Sequence, residues 1–341
     1  MGFVPYLIHP KRAFPLITIE RQFKNLLRQI ALGILVIIPG IFHSCDSIRE
    51  DLKECRLLVR FKYDYNMLST DAFHTQVDKV DLYVFDEEGK FLFMQSEEGT
   101  PLTTGDYRME LFLPIGQYKL LAWAGVHDSY EVTNLEPGVS TFTEIELKLK
   151  REASLVVNKQ VEPLWYGELA DVDFTGIENT STTINLIKNT NTIRFVFENL
   201  GTSNFDVNDY TYELSESNGY MGHDNALKPD DVLSYQPYHI NQSSATTGVI
   251  ELNTMRLMTD RLNNFAVKDK TTGATLFNVD LTDFFLLLRH EEHKNKWGDQ
   301  EYLDRKDAYD VVFYLSGSTN AWLSISVIIN GWTWYLQEEN H

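Results

Sequence analysis

Thr143–Lys150, TEIELKLK, sets Ile145, Leu147 and Leu149 on one side of an extended chain and Glu144, Glu146, Lys148 and Lys150 on the other. Side chains alternate across a strand, so this stretch has one dry and one wet face and reads as a half-buried antiparallel strand. A helix would need apolar residues three and four apart, and that period is nearly missing from the chain. Alternation recurs instead. Arg56–Tyr63 reads as a strand, and Lys79–Asp86 places Val80, Leu82 and Val84 on one face. The turn Asp86–Gly89 and the following Lys90–Met94 complete a hairpin. Tyr107–Leu113 and Gln117–Ala124 flank the turn Pro114-Ile115-Gly116.

A mixed stretch ends near Gly176, and the pattern then restarts. Thr183–Ile187 and Thr192–Glu198 read as strands around the turn-like Asn189-Thr190-Asn191. Residues 201–247 are polar and predict one strand, Asp209–Ser215, within long loops. Gly248–Leu257, Thr275–Val279, Ala308–Leu315 and Trp322–Ile329 follow as strands. Thr282–Lys294 is the one convincing helix, with Thr282 as a candidate N-cap, Asp283 at its positive end and Gly298 as its stop. Many short strands with closely spaced turn signals predict an all-β fold: two antiparallel β-sandwich domains in tandem, with one short helix in the second. The domains are expected at 45–177 and 178–341.

The first 44 residues read as a signal peptide. Arg21, Lys24 and Arg28 precede an uncharged apolar run from Ile30 to Phe42, and the small residue Ser44 stands directly before Cys45. A cysteine at that place makes it a lipoprotein signal, with Cys45 as the lipidation site and first residue of the mature protein. Phe42 and His43 depart from the usual lipobox, and the competing reading is an uncleaved membrane anchor. Spanning needs about 20 apolar residues, and Pro39-Gly40 interrupts this run. The leader's charged part begins far from Met1, which predicts a later true start.

The chain of 341 residues carries a formal charge of −19. Nucleic acids and anionic membranes require a cationic footprint, so this acidity argues against both as partners. Two cysteines exclude a disulfide scaffold. With Cys45 lipidated, Cys55 has no partner and reads as a buried small hydrophobe. No catalytic, cofactor-binding or metal-binding residues emerge. His290 and His293 are three apart with no third ligand evident, whereas a zinc helix needs the pair four apart. Asp171-Val172-Asp173 and Asp86–Gly89 lack the ligand alternation of a calcium loop and read as a strand end and a hairpin turn. There is no phosphate loop or nucleophile elbow, and nothing supports an enzyme.

Several stretches together resemble the fimbrial anchor lipoproteins of Bacteroidales-type bacteria, the FimB-like proteins associated with type V fimbriae. They are Cys45–Cys55, Val80–Gly89 (VDLYVFDEEG), Leu113–Gly125 (LPIGQYKLLAWAG), Pro163–Gly167 (PLWYG), Thr183–Phe197, Gln300–Arg305 (QEYLDR) and Ile328–Trp332 (IINGW). The resemblance covers essentially all of the mature chain. It implies transthyretin-like sandwiches, a lipid anchor in the outer membrane, and surface exposure. It also implies a role in attaching the fimbrial shaft and limiting its length. The implied partners are fimbrillin shaft subunits and accessory fimbrial proteins, joined by strand exchange, in which main-chain hydrogen bonds give affinity and alternate side chains give specificity. The alternative is a surface lipoprotein that captures glycan or host protein outside any fimbria. Trp322–Leu336, rich in β-branched and aromatic residues, is the candidate exchange segment. It is equally a candidate core strand.

Overall fold

Seven strands align in the spatial order β3 (Phe91–Glu98), β2 (Lys79–Phe85), β5 (Gly116–Ala124), β9 (Trp165–Phe174), β10 (Thr180–Lys188), β1 (Leu57–Lys62) and β4 (Met109–Leu111). The structure, a computed structural model, describes residues 55–293, 295–316, 324–329 and 332–335. From Cys55 onward the chain forms one compact unit. Gln95 of β3 donates from Nε2 to the Glu110 carbonyl of β4 at 3.3 Å, so the sheet rolls until its outermost strands nearly meet. Val59, Phe61, Val80, Leu82, Leu120 and Trp165 fill the inside of the roll. The outward side chains of the same central strands (Tyr83, Phe85, Leu121, Trp123, Tyr166) enter a second core. β2 is therefore dry on both faces, not on the one face that Val80, Leu82 and Val84 predict.

The strand β7 (Leu147–Leu149) lies between β6 (Tyr130–Val132) and β13 (Tyr220–Met221) in a three-stranded sheet. It is shorter than the alternation suggested, because Phe142–Glu144 close a 3₁₀ turn in which Thr141 and Glu144 cap each other reciprocally. Ile145, Leu147 and Leu149 are all buried, as expected.

Six strands form the order β15 (His239–Gln242), β16 (Thr247–Met255), β11 (Thr190–Asn199), β19 (Ala308–Ser316), β20 (Ser324–Ile329) and β21 (Trp332–Tyr335). Five more run β18 (Thr275–Asp280), β17 (Asn264–Asp269), β12 (Tyr210–Glu216), β14 (Leu233–Tyr235) and β8 (Val156–Val157). These two sheets face one another across stacked aromatic rings, with Phe195 of β11 4.3 Å from Phe265 of β17. The fold is all-β sandwich, as the alternation predicted. Three pairs are nonetheless parallel: β1 with β10, β11 with β19, and β8 with β14. Parallel partners need a crossover, and each of these pairs is joined through long intervening sequence that a local reading cannot follow.

β9, β17 and most strands between 201 and 247 were not expected. The long helix runs Leu281–Glu292. Its N-cap is Asp280, whose carboxylate accepts from the Thr282 N–H at 2.8 Å, so Thr282 sits buried in the first turn instead of capping it. Lys294 lies outside the described residues. Gly298 does not stop this helix; it precedes a second one, Asp299–Arg305. Among the described residues no helix is long and apolar enough to cross a membrane.

Candidate functional site: free strand edges and the leading end of the first sheet

Cys45, the one site residue the sequence nominated, lies outside the described residues. Cys55 is a free thiol, half-buried against the core inside the rolled sheet. Arg56 follows it and fixes where the chain joins the fold. Its N–H donates to Asn179 Oδ1 at 2.9 Å, its guanidinium pairs with Glu110, and it lies 4.8 Å over the Phe112 ring.

The strand registers gather four chain segments at that end. Leu57 opposes both Thr180 and Leu111, Gly116 opposes Phe174, and Phe85 opposes Lys119. Hence β1 and β10 begin here, β4 and β9 finish here, β5 starts here, and the hairpin turn Asp86–Gly89 closes here. Phe112 and Ile115 of the β4–β5 loop and Ile177 of the β9–β10 loop are 59%, 73% and 85% exposed. Ile115 reaches over Gly176, where an added Cβ would stand 2.7 Å from its Cγ1, so the two loops touch. A shallow groove between β3 and this loop is lined by Leu92, Phe93, Phe112 and Leu113 and by the acidic residues Asp86, Glu87 and Glu88. Beside it, Lys119 Nζ binds Asp171 Oδ1 at 2.6 Å, near Glu87 and Asp173. Both acidic stretches weighed as calcium loops thus meet at this end, one as strand and one as turn.

Among the described residues the six-stranded sheet ends on β15 and β21 and the five-stranded sheet on β18 and β8, whereas the end strands β3 and β4 of the rolled sheet turn toward each other. Within the candidate exchange segment, β20 is already paired on both sides, from Val311–Ser316 of β19 to Trp332–Tyr335 of β21. β20 is an interior strand of its sheet, and β21 is the edge.

Sequence reasoning missed a buried polar joint. Asn189, Thr190 and Asn191 are not an exposed turn: all three are buried, and β10 and β11 diverge into different sheets. Asn189 Nδ2 donates to Asn225 Oδ1 at 2.5 Å, Asn191 Nδ2 to the Met255 carbonyl at 3.2 Å, and Asn253 Nδ2 to Thr192 Oγ1 at 3.0 Å. Arg256 grips Asp304 through two 2.7 Å bonds and donates to the Asn225 carbonyl at 2.7 Å. The QEYLDR helix completes the joint: Gln300 donates to the Leu257 carbonyl at 3.0 Å, and Arg305 lies 4.1 Å over Tyr65. Burial pushes the Glu216 carboxyl, nearby in β12, up to about 7. His293 lies against Trp297 and Tyr302, and no group of three or more metal-ligating side chains occurs among the described residues.

The family model for fimbrillin-A associated anchor proteins Mfa1 and Mfa2 matches residues 52–338. The chain belongs to this anchor family. The minor fimbrium anchoring subunit Mfa2 of Porphyromonas gingivalis (strain ATCC 33277) is 22% identical over 314 residues, covering 89% of this chain and 93% of that protein. A candidate polysaccharide-binding protein from Bacteroides thetaiotaomicron is 51% identical, with a TM-score of 0.78 over 84% of this chain and all (100%) of that one. The solved Mfa2 anchor from P. gingivalis shares the fold at 19% identity, with a TM-score of 0.66 over 83% of this chain and 99% of that one. The anchor family is a structural one of the fimbria at the cell surface, which is the resemblance the sequence carried.

Proposed function

We propose that this member of the anchor family is a lipid-anchored outer-membrane subunit. It holds a fimbrial shaft to the cell surface, limits its length, and grips fimbrillin and accessory subunits by β-strand exchange. It performs no catalysis. The observation that carries this reading is the family match over residues 52–338. The end strands β15 and β21 of the six-stranded sheet supply edges on which a neighbour's strand can add. Cys45 takes the lipid; two or three acyl chains hold a protein stably where one does not. The division at 177/178 into two transthyretin-like sandwiches belongs to the same proposal, and the change of sheet between β10 and β11 supports a joint a few residues later, at Asn189.

Cells carrying Cys45→Ala should release the protein from the outer membrane or accumulate its unprocessed precursor. A variant that fractionates and migrates like wild type sinks the lipid site. Pull-down from outer-membrane extracts, read by mass spectrometry, should recover a fimbrillin, and deleting the gene should give longer fimbriae that shed into the medium. A second reading, glycan capture, draws on the 51% identical relative described as a candidate polysaccharide-binding protein. Binding to a polysaccharide panel with no fimbrillin recovered would favour it.

A further inference from the structure

We propose that the leading end of the rolled sheet is a membrane-contact face, on which Phe112, Ile115 and Ile177 enter the interfacial layer of a phospholipid bilayer. The inference rests on the lipid anchoring at Cys45 proposed above. Cys45 precedes Arg56 by 11 residues, which span at most roughly 40 Å when fully stretched. An acyl anchor at Cys45 therefore keeps this end nearer the bilayer than the opposite one, which lies further off by the length of the six-residue β1, roughly 20 Å, and gives it the higher effective concentration there.

Single exposed apolar side chains need no explanation, but grouped ones mark an interaction surface. These three are grouped: Ile115 reaches over Gly176 beside Ile177, and Phe112 flanks Arg56 where the chain joins the fold. An aromatic ring with a guanidinium over it suits the boundary between headgroups and acyl chains, where an amphipathic pair keeps its polar part wet. The charges choose the lipid. Glu110 pairs with Arg56 and Asp171 with Lys119, but Glu87, Asp173 and Glu178 leave the rim acidic. The face is thus suited to a zwitterionic surface and is repelled by an anionic one.

The test uses the full chain made in a lipidating host and reconstituted into phosphatidylcholine vesicles. An environment-sensitive fluorophore is placed at Ile177→Cys in a Cys55→Ser background, and separately at Leu68→Cys. Leu68 is 83% exposed in the loop after β1, at the opposite end of the same strand. Lipids spin-labelled high on the acyl chain should quench the probe at 177 and leave the probe at 68 bright. Phe112→Ser with Ile115→Ser should abolish that quenching while leaving the thermal melt unchanged. Equal brightness at both positions in anchored protein overturns the proposal. Mass spectrometry of the N-terminal peptide reads the lipid independently. If that peptide carries none, the Cys45 reading fails by itself, and the face is tested by sedimentation of the same protein with phosphatidylcholine vesicles. Binding that falls about tenfold or more in Phe112→Ser/Ile115→Ser/Ile177→Ser, and that weakens with phosphatidylglycerol, then supports the face. No binding, or binding that the triple variant leaves unchanged, overturns it. Shielding of the 177 probe that requires added fimbrillin and not lipid also overturns it, assigning the face to a protein partner.

Discussion

Phe195 is fully buried, stacked 4.3 Å from Phe265 and 5.8 Å from Phe313. Phe195→Ala should cost about 3–5 kcal/mol in urea unfolding, and Phe195→Asp, burying an unpaired charge, should leave no cooperative melt at all. Glu216 behaves differently because its carboxyl is buried with one oxygen, Oε2, lacking a hydrogen-bond partner. Its folded pKa is raised to about 7, so the unfolded chain loses the proton first as pH climbs, and folding is progressively disfavoured from about pH 4.5 to 7. Glu216→Gln should therefore stabilise the protein by about 2–3 kcal/mol at pH 8 and change little at pH 4. A pH series of melts reads the difference. Asp304→Ala, which strands Arg256 inside the joint, should cost about 3–5 kcal/mol. The inward roles of Ile145, Leu147 and Phe195 were legible because alternation marks a face directly. Asn189 was not, since polar residues between two strands ordinarily mean a turn. Its burial depends on Asn225, a partner brought in by the fold and not by proximity in sequence.

Strands with one wet face were legible, and so were β2, β5 and β16, whose apolar runs are buried on both faces, but β9 was lost. β9 begins with Trp165, Tyr166 and Gly167 all buried and carries a bulge against β5, so no clean alternation survives. Gly167 permits the close approach there: an added Cβ would meet Ala122 and Ile184 at 2.8 Å. The second helix went unseen because Gly298 looks like a terminator from either side. At the chain's end the pairing separates two roles that the sequence left joined. Deleting 322–341 removes β20 and opens a whole flank of β19, so its cooperative melt should vanish. Deleting only 332–341 removes the outer strand β21; that protein should still melt cooperatively, and if β21 is the docking edge it should no longer retain fimbriae. Differential scanning calorimetry and electron microscopy of whole cells measure the two outcomes.

The whole molecule is knitted across its midpoint more tightly than a tandem reading suggests. β7 and β8, from the first half, supply partners to β13 and β14 in the second, and one apolar core runs from Trp123 and Leu147 to Phe195 and Leu252. A fragment of residues 189–341 should therefore fail to give dispersed amide resonances by itself and recover them when 45–188 is supplied. The all-β sandwich class and the anchor family were legible from local pattern and motif order. The leading end was not, since its members come from four separate stretches that meet only through register. That same register bears on force. β1 is held along its length by six residue pairs to β10 on one side and by β4 on the other. A tether that pulls Arg56 away from the far end of the sheet drags β1 along its own axis. All of its ladder bonds then share the load together and do not open singly, as they would if peeled from one end. Under the proposed lipid anchor at Cys45, the strand nearest the tether is thus set in shear, the geometry in which a short strand withstands the most tension.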